Sequence, residues 1–333
     1  MKILIASSEV VPFAKTGGLA DVAGALPSAL EDAGQEVVVV MPFYKLVRQS
    51  KAKIQKSEDG LSYAVIGKKV KVYFIEEDLF FDRDGLYGGK HGDFQDNLDR
   101  FSFYGKSVLY LLKKIDFKPD IIHIHDWQAC LIPVYLKHLY ADDPFYKGIH
   151  TVLTIHNIGY QGLFPKEEFS KLGLEESVFG IDGLEYYGKI NLLKGGMEYA
   201  DVINTVSPTY SKEIQTKEFG FGLEGVLNKR KDSLFGILNG LDYTIWNPQT
   251  DTYISDKYSS ENPDDKVKNK EDLQRTCGLP LRKDVPLFGI VSRLAEQKGF
   301  DILAEAIEKI CAMDLQLVIL GTGDVKYHAL LEK

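Results

Sequence analysis

The sequence predicts an α/β protein built on parallel sheets with helices on both faces. Three observations carry that expectation. Short runs that are almost wholly apolar, such as Ile3-Leu4-Ile5-Ala6 and Val37-Val38-Val39-Val40, recur along the chain. Longer stretches of helical character separate them, and Gly or polar clusters mark the joins. Strands that are apolar on both faces belong to a sheet covered on both sides, which is the doubly wound arrangement.

Taken in order, residues 2–6 form a buried strand, followed by a Gly-containing loop and a helix over about 20–33 that Gly34 stops. Strands follow at 36–40 and 70–75. Strands 121–125 and 151–155 are separated by a helix over about 128–140, and strands 202–205 and 234–238 close the series. In such a sheet the ligand lies beyond the carboxyl ends of the strands, so the residues just after each strand are the ones to weigh.

A second unit begins near Asn239. Residues 239–285 are polar, contain Pro248, Pro263 and Pro280 and carry a charged run at 261–272, which suits an interdomain segment. The β-α-β rhythm restarts with a strand at 287–292, a helix at 300–311, a strand at 315–320 and a closing helical stretch to 333. The expected partition is 1–238, 239–285 and 286–333. Two strands make a marginal sheet, so the second doubly wound domain is expected to be incomplete and the chain to be a shortened one.

Of the 333 residues, 44% are apolar and 26% charged, which excludes a disordered chain or a collagen. With 40 Lys plus Arg against 48 Asp plus Glu, the net charge is −8. A mildly acidic chain has no general attraction for nucleic acid or an anionic membrane; any bound anion must be held by local cations and backbone N–H groups. Cys130, Cys277 and Cys311 are odd in number and far apart, so neither a disulfide framework nor a zinc site is indicated. No secretory signal, transit peptide or long apolar span is evident, and a cytoplasmic location is expected.

Several motifs fall at strand ends. Lys15-Thr16-Gly17-Gly18-Leu19 precedes a helix. Adjacent glycines permit a sharp turn and close approach to a ligand, the helix N-terminus suits phosphate, and Lys15 adds an ammonium. An ordinary glycine turn with a surface lysine is the alternative. The motif is neither a dinucleotide fingerprint nor a Walker loop. Asp126-Trp127 follows strand 121–125, and His156-Asn157 follows strand 151–155. A carboxylate beside an indole suits a sugar, with its hydroxyls and its C–H face. Asp126 could equally cap the following helix, and His156 could be a core histidine. His123 and His125, two apart, would face one side, but a metal site lacks a third ligand. Asp82-Arg83-Asp84 lies in a Gly-rich loop and suits a solvated turn better than a metal motif. Arg293 follows a strand and Lys298 precedes the glycine that opens a helix; such cations could neutralise a diphosphate.

Together these residues resemble the bacterial glycogen synthases and plant starch synthases, one family of retaining glucosyltransferases. The matches are KTGGL at 15–19, HDWQ at 125–128, TIHNIGYQG at 154–162, KGGMEYA at 194–200, TVSP at 205–208, LNGLD at 238–242 with Trp246-Asn247-Pro248, and SRLAEQKG at 292–299. They occur in family order and cover nearly the whole chain.

The resemblance implies a GT-B fold, in which two Rossmann-like domains face a cleft. It implies transfer of glucose from ADP-glucose to the non-reducing end of an α-1,4-glucan such as glycogen, with retention and without a cofactor or metal. It places Lys15, Gly17 and Gly18 at the donor's diphosphate and sugar, and Arg293 and Lys298 at the departing ADP. His156 would line the glucose, and Glu9, Asp126, Trp127 and Asn239 would surround the reacting and acceptor sugars, with Asp21 and Asn157 in the adjoining segments. The KTGGL opening favours ADP-glucose over UDP-glucose. Family members continue well beyond residue 333 with further donor-binding segments, so the chain taken alone is expected to be inactive. The competing expectation is a non-catalytic protein that binds glucan or nucleotide sugar.

Overall fold

The structure is a computed structural model and describes residues 1–89 and 92–332. It divides into two compact units, Met1–Leu241 and Asp242–Lys333. Each is described by itself.

Among the described residues the first unit is organised by a nine-stranded sheet. Its order is Leu234–Gly236, Val202–Thr205, His150–Ile155, Ile121–His125, Lys2–Ala6, Glu36–Pro42, Val70–Ile75, Ser62–Ile66, Gln55–Lys56. The first seven are parallel. The last two turn antiparallel at one edge, an addition that the polar alternation of 55–66 concealed. Leu4, Ile5 and Ala6 are fully buried, as a central strand covered on both faces demands. The chain winds outward to one side of Lys2–Ala6 and then returns to build the other side from Ile121–His125. The switch point therefore lies between these two neighbours, and the loops after both strands meet there.

Helix Gly18–Asp32 packs on Glu36–Pro42. The 18-residue helix Asn97–Lys114 was not apparent in the sequence, yet Leu98, Phe101, Tyr104, Val108, Leu109 and Leu112 recur at three- and four-residue spacing and are all buried. Its Tyr104 hydroxyl lies 2.8 Å from the Val40 carbonyl and 3.1 Å from that of Ser7, tying the helix to two strand ends.

The helix expected over 128–140 is corrected. A 3₁₀ turn at Trp127–Ala129 comes first and the α-helix is Leu131–His138. Pro133 gives the reason. In a helix starting at 128 it would sit in the interior and clash with the preceding turn, whereas here it lies in the first turn, where no N–H is missed.

In the second unit Leu287–Val291 pairs in parallel with Gln316–Leu320, with helices Phe300–Cys311 and Val325–Leu331. The closing helical stretch expected to 333 reaches Leu331; Lys333 lies outside the described residues. The polar run at 261–285 contains the helix Lys266–Thr276, whose buried Gln274 donates to the Gln316 amide oxygen at 2.6 Å. A small cluster of Leu294, Phe300 and Tyr327 forms the core, while Phe288, Val291, Ile302 and Leu320 remain exposed.

Candidate active site

The loop after Lys2–Ala6 is organised around Glu9, whose carboxylate is buried. Its Oε1 accepts the Thr16 hydroxyl at 2.6 Å and the Tyr87 hydroxyl at 2.7 Å. Its Oε2 accepts the backbone N–H of Thr16, and that of Gly17 at 3.3 Å. Four donors on one carboxylate account for its burial. They also draw the KTGGL segment back onto the strand end. Tyr87 further contacts the Ser8 hydroxyl at 2.7 Å. Sequence reasoning missed Tyr87; it lies some eighty residues from Glu9 and only the tertiary fold joins them.

The glycine expectation needs one correction. Gly17 has φ −158°, extended backbone open to any residue, and Gly18 is not left-handed either, so no sharp turn depends on them. What distinguishes both is space: a Cβ at either would meet nothing within 4 Å. Gly17 caps helix Gly18–Asp32 and brings no side chain to its first N–H groups. Those groups and the local positive end of the helix suit an anion. Lys15 pairs with Asp21 in the helix's first turn at 2.7 Å, both about half exposed.

Asp126 follows Ile121–His125 with φ 53° and ψ −176°, a backbone region costly for a non-glycine residue. The capping alternative is overturned, because its side chain bonds no N–H of the following turn. Instead Oδ1 accepts the backbone N–H of His156 at 2.7 Å, linking two strand ends. Burial raises the Asp126 carboxyl to about 7, against backbone hydrogen bonds from His156 and Asn157 that lower it; the nearby Glu9 charge adds to the rise.

Trp127 is only 8% exposed. Phe101 meets it edge-on at 4.9 Å between ring centroids, and Tyr87 and Phe164 flank it at 6.4 and 6.0 Å. The open sugar platform expected of this indole is therefore not present; the ring packs beneath the loop. Gly162, at φ +65°, is required here, since a Cβ would lie 2.5 Å from the indole.

His123, His125 and His156 stack in series, with centroids 4.3 and 5.2 Å apart. His123 Nε2 lies 2.6 Å from Thr154 Oγ1, and His125 Nδ1 lies 2.9 Å from His156 Nε2. Both ring pairs are thus engaged with protein, and no group of three metal-ligating side chains forms among the described residues. Asn157 Oδ1 accepts the Gly159 N–H at 3.0 Å and shapes the turn that follows. Glu9, Lys15, Gly17, Asp126, His156 and Asn157 thus lie on linked loops at the sheet's carboxyl edge, with Gly18 and Asp21 in the first turn of the adjoining helix.

The starch synthase catalytic domain family model matches residues 2–229. The chain is 50% identical, over its whole length, to the glycogen synthase of Geotalea daltonii, of which it spans 71%. This chain belongs to the glycogen and starch synthase family.

A glycogen synthase of Thermotoga maritima is 45% identical over the same full coverage and 71% of its own length. The solved catalytic domain of starch synthase IV from Arabidopsis thaliana, bound to ADP and acarbose, matches 99% of this chain and 70% of its own at 31% identity, with a TM-score of 0.88. A sucrose-phosphate synthase from Thermosynechococcus elongatus shares the fold, with a TM-score of 0.55 at 14% identity over 98% of this chain and 63% of its own. The fold class is the GT-B type of these glycosyltransferases.

Some of the family motifs serve packing. In KGGMEYA, buried Lys194 donates to the carbonyls of Ile181 and Gly183 at 2.7 Å each. A Cβ on Gly196 would lie 2.3 Å from Cys130 Sγ. Asn239 is exposed at the end of the first unit. In the second unit Arg293 is exposed just beyond strand Leu287–Val291. Lys298 is exposed in the turn Glu296–Lys298, and Gly299 then opens helix Phe300–Cys311.

Proposed function

We propose that this glucosyltransferase moves glucose from ADP-glucose to the non-reducing end of an α-1,4-glucan, with retention. The observation that carries the reading is the convergence of the Glu9-anchored glycine loop and the Asp126–His156 link on the switch point of the sheet.

The chemistry fits these groups. Departure of ADP places negative charge on the diphosphate, and the N-terminus of helix Gly18–Asp32, which no cap side chain covers, offers preorganised stabilisation. Lys15 exchanges Asp21 for phosphate at small cost, because an exposed ion pair contributes only about 0–1 kcal/mol. We assign Arg293 and Lys298 to the same leaving group, His156 to the donor glucose, and Asp126 to holding the His156 backbone. Glu9, Asn157 and Asn239 belong to the surrounding sugar-facing loops. With Glu9 saturated by four donors and Asp126 held by backbone N–H groups, neither is free as a nucleophile, in keeping with departure and attack on one face of the sugar. The cytoplasmic site expected for soluble sugar nucleotides belongs to this reading, as does the partition at 238 and 285 with the second domain beginning at 286.

We also infer that the 333 residues alone do not sustain turnover. Their second unit presents a two-stranded sheet with exposed Phe288, Val291 and Leu320, and the chain spans 71% of its relatives. Calorimetric titration with ADP-glucose and with maltohexaose, alongside a glucose-incorporation assay, tests both points. Saturable binding of each ligand is expected, with ADP-glucose weakened at least tenfold by Lys15→Ala, and incorporation at background. Absence of binding by either ligand overturns the assignment; turnover like that of a full-length relative overturns the inference of inactivity.

A further inference from the structure

One dipeptide reaches His156 twice. Asp126 holds its backbone N–H, and the preceding residue, His125, holds its ring. In regular strand successive side chains point to opposite faces. The left-handed φ of Asp126 breaks that alternation, so both neighbours converge on one residue.

The three stacked rings are neutral at ordinary pH. Burial pushes His123 and His156 down to about 4 and His125 well below its usual range. A neutral imidazole carries one N–H, so one proton lies between His125 Nδ1 and His156 Nε2. The other nitrogen of His125, Nε2, is buried with no hydrogen-bond partner. If His156 Nε2 held the shared proton, His125 would carry its own on Nε2, leaving a buried donor orphaned. An orphaned N–H is the rarer and costlier defect; a bare lone pair is the milder one. The shared proton therefore sits on His125 Nδ1. A parallel argument sets His123: the Thr154 hydroxyl gives its proton to Asn204 Oδ1 at 2.6 Å, so His123 Nε2–H must be the donor to Thr154.

We propose that His125 is a positioning residue for His156. Its Nδ1–H donates to His156 Nε2 and fixes the His156 ring as the Nδ1–H tautomer, leaving that N–H as the ring's remaining donor for a sugar oxygen. The proposal rests on the reading of His156 as lining the donor glucose. The tautomer itself is read without any ligand, so a failed ADP-glucose titration strikes the functional assignment and leaves the tautomer result standing.

The test is long-range ¹H–¹⁵N correlation of the histidine rings in the ¹⁵N-labelled 333-residue chain at neutral pH, with His156 assigned by its absence in His156→Gln. The expected spectrum shows His156 protonated on Nδ1 and bare at Nε2. His125→Asn, whose amide N–H replaces the Nδ1 donor, keeps that pattern. His125→Leu releases the ring toward the Nε2–H form that a free imidazole prefers. Protonation of His156 on Nε2 in the parent chain overturns the proposal, as does an unchanged Nδ1–H pattern in His125→Leu. Should the leucine variant not fold, the parent and His125→Asn spectra decide: Nε2 protonation in either overturns it.

Discussion

Asp126 and the histidines beside it give opposite signs to the acid response of the chain. The folded Asp126 carboxyl binds its proton up to about 7, well above the ordinary carboxylate range. Between the unfolded and folded values the native state holds more protons, so this group's contribution falls as pH rises from about 4 to 7. His123, His125 and His156 are depressed by burial, so in the same window the unfolded chain holds more protons and their contribution rises with pH. Three groups oppose one, and the net expectation is a chain that gains stability from pH 4.5 to 6.5. Asp126→Asn removes the opposing contribution. Urea unfolding at the two pH values should show a steeper gain in the variant than in the parent; an equal or shallower gain would refute the assignment of a raised carboxyl.

At the scale of elements, glycines at two helices separate binding from packing. Gly196 lies in helix Leu192–Tyr199, where a methyl group would overlap Cys130 Sγ and Cβ. Gly196→Ala should cost about 1–3 kcal/mol by overpacking, read from the urea midpoint. Gly17 has extended backbone and open space around it. Gly17→Ala should unfold within about 0.5 kcal/mol of the parent, while weakening ADP-glucose binding severalfold by holding the diphosphate off the helix N-terminus. A strong loss of stability at Gly17, or unchanged binding, would remove it from the site. Both glycines sit in family motifs, and the sequence does not distinguish their duties. Only the neighbours brought in by the fold do.

On the scale of the whole molecule, the two units differ in how completely they enclose their apolar surface. The first buries a continuous core from Ile3 to Leu227. The second has a small core and keeps Val291 and Val325 about four-fifths exposed. Resistance to proteolysis follows burial. Limited trypsin digestion followed by mass spectrometry should cut early in the exposed polar stretch after Asp242, at Lys257 among other sites, and leave a fragment holding residues 1–241. Early cleavage within the first unit, with the second intact, would contradict this ranking.

The sequence by itself determined the α/β class, the positions of the parallel strands and the strand-end residues worth testing. It could do so because apolar runs and glycine punctuation are local signals, read directly from residue order. Its motif set also determined the family. It did not reveal the helix Lys266–Thr276, whose polar surface hides its anchoring by Gln274, nor the helix Asn97–Lys114. The tertiary structure alone decided that Glu9 is saturated by Thr16, Gly17 and Tyr87, that Trp127 is enclosed, and that Asp126 reaches across to His156. Those outcomes depend on hydrogen bonds and ring contacts between segments distant in the chain. No local pattern encodes which donor will meet which acceptor once the strands are laid side by side.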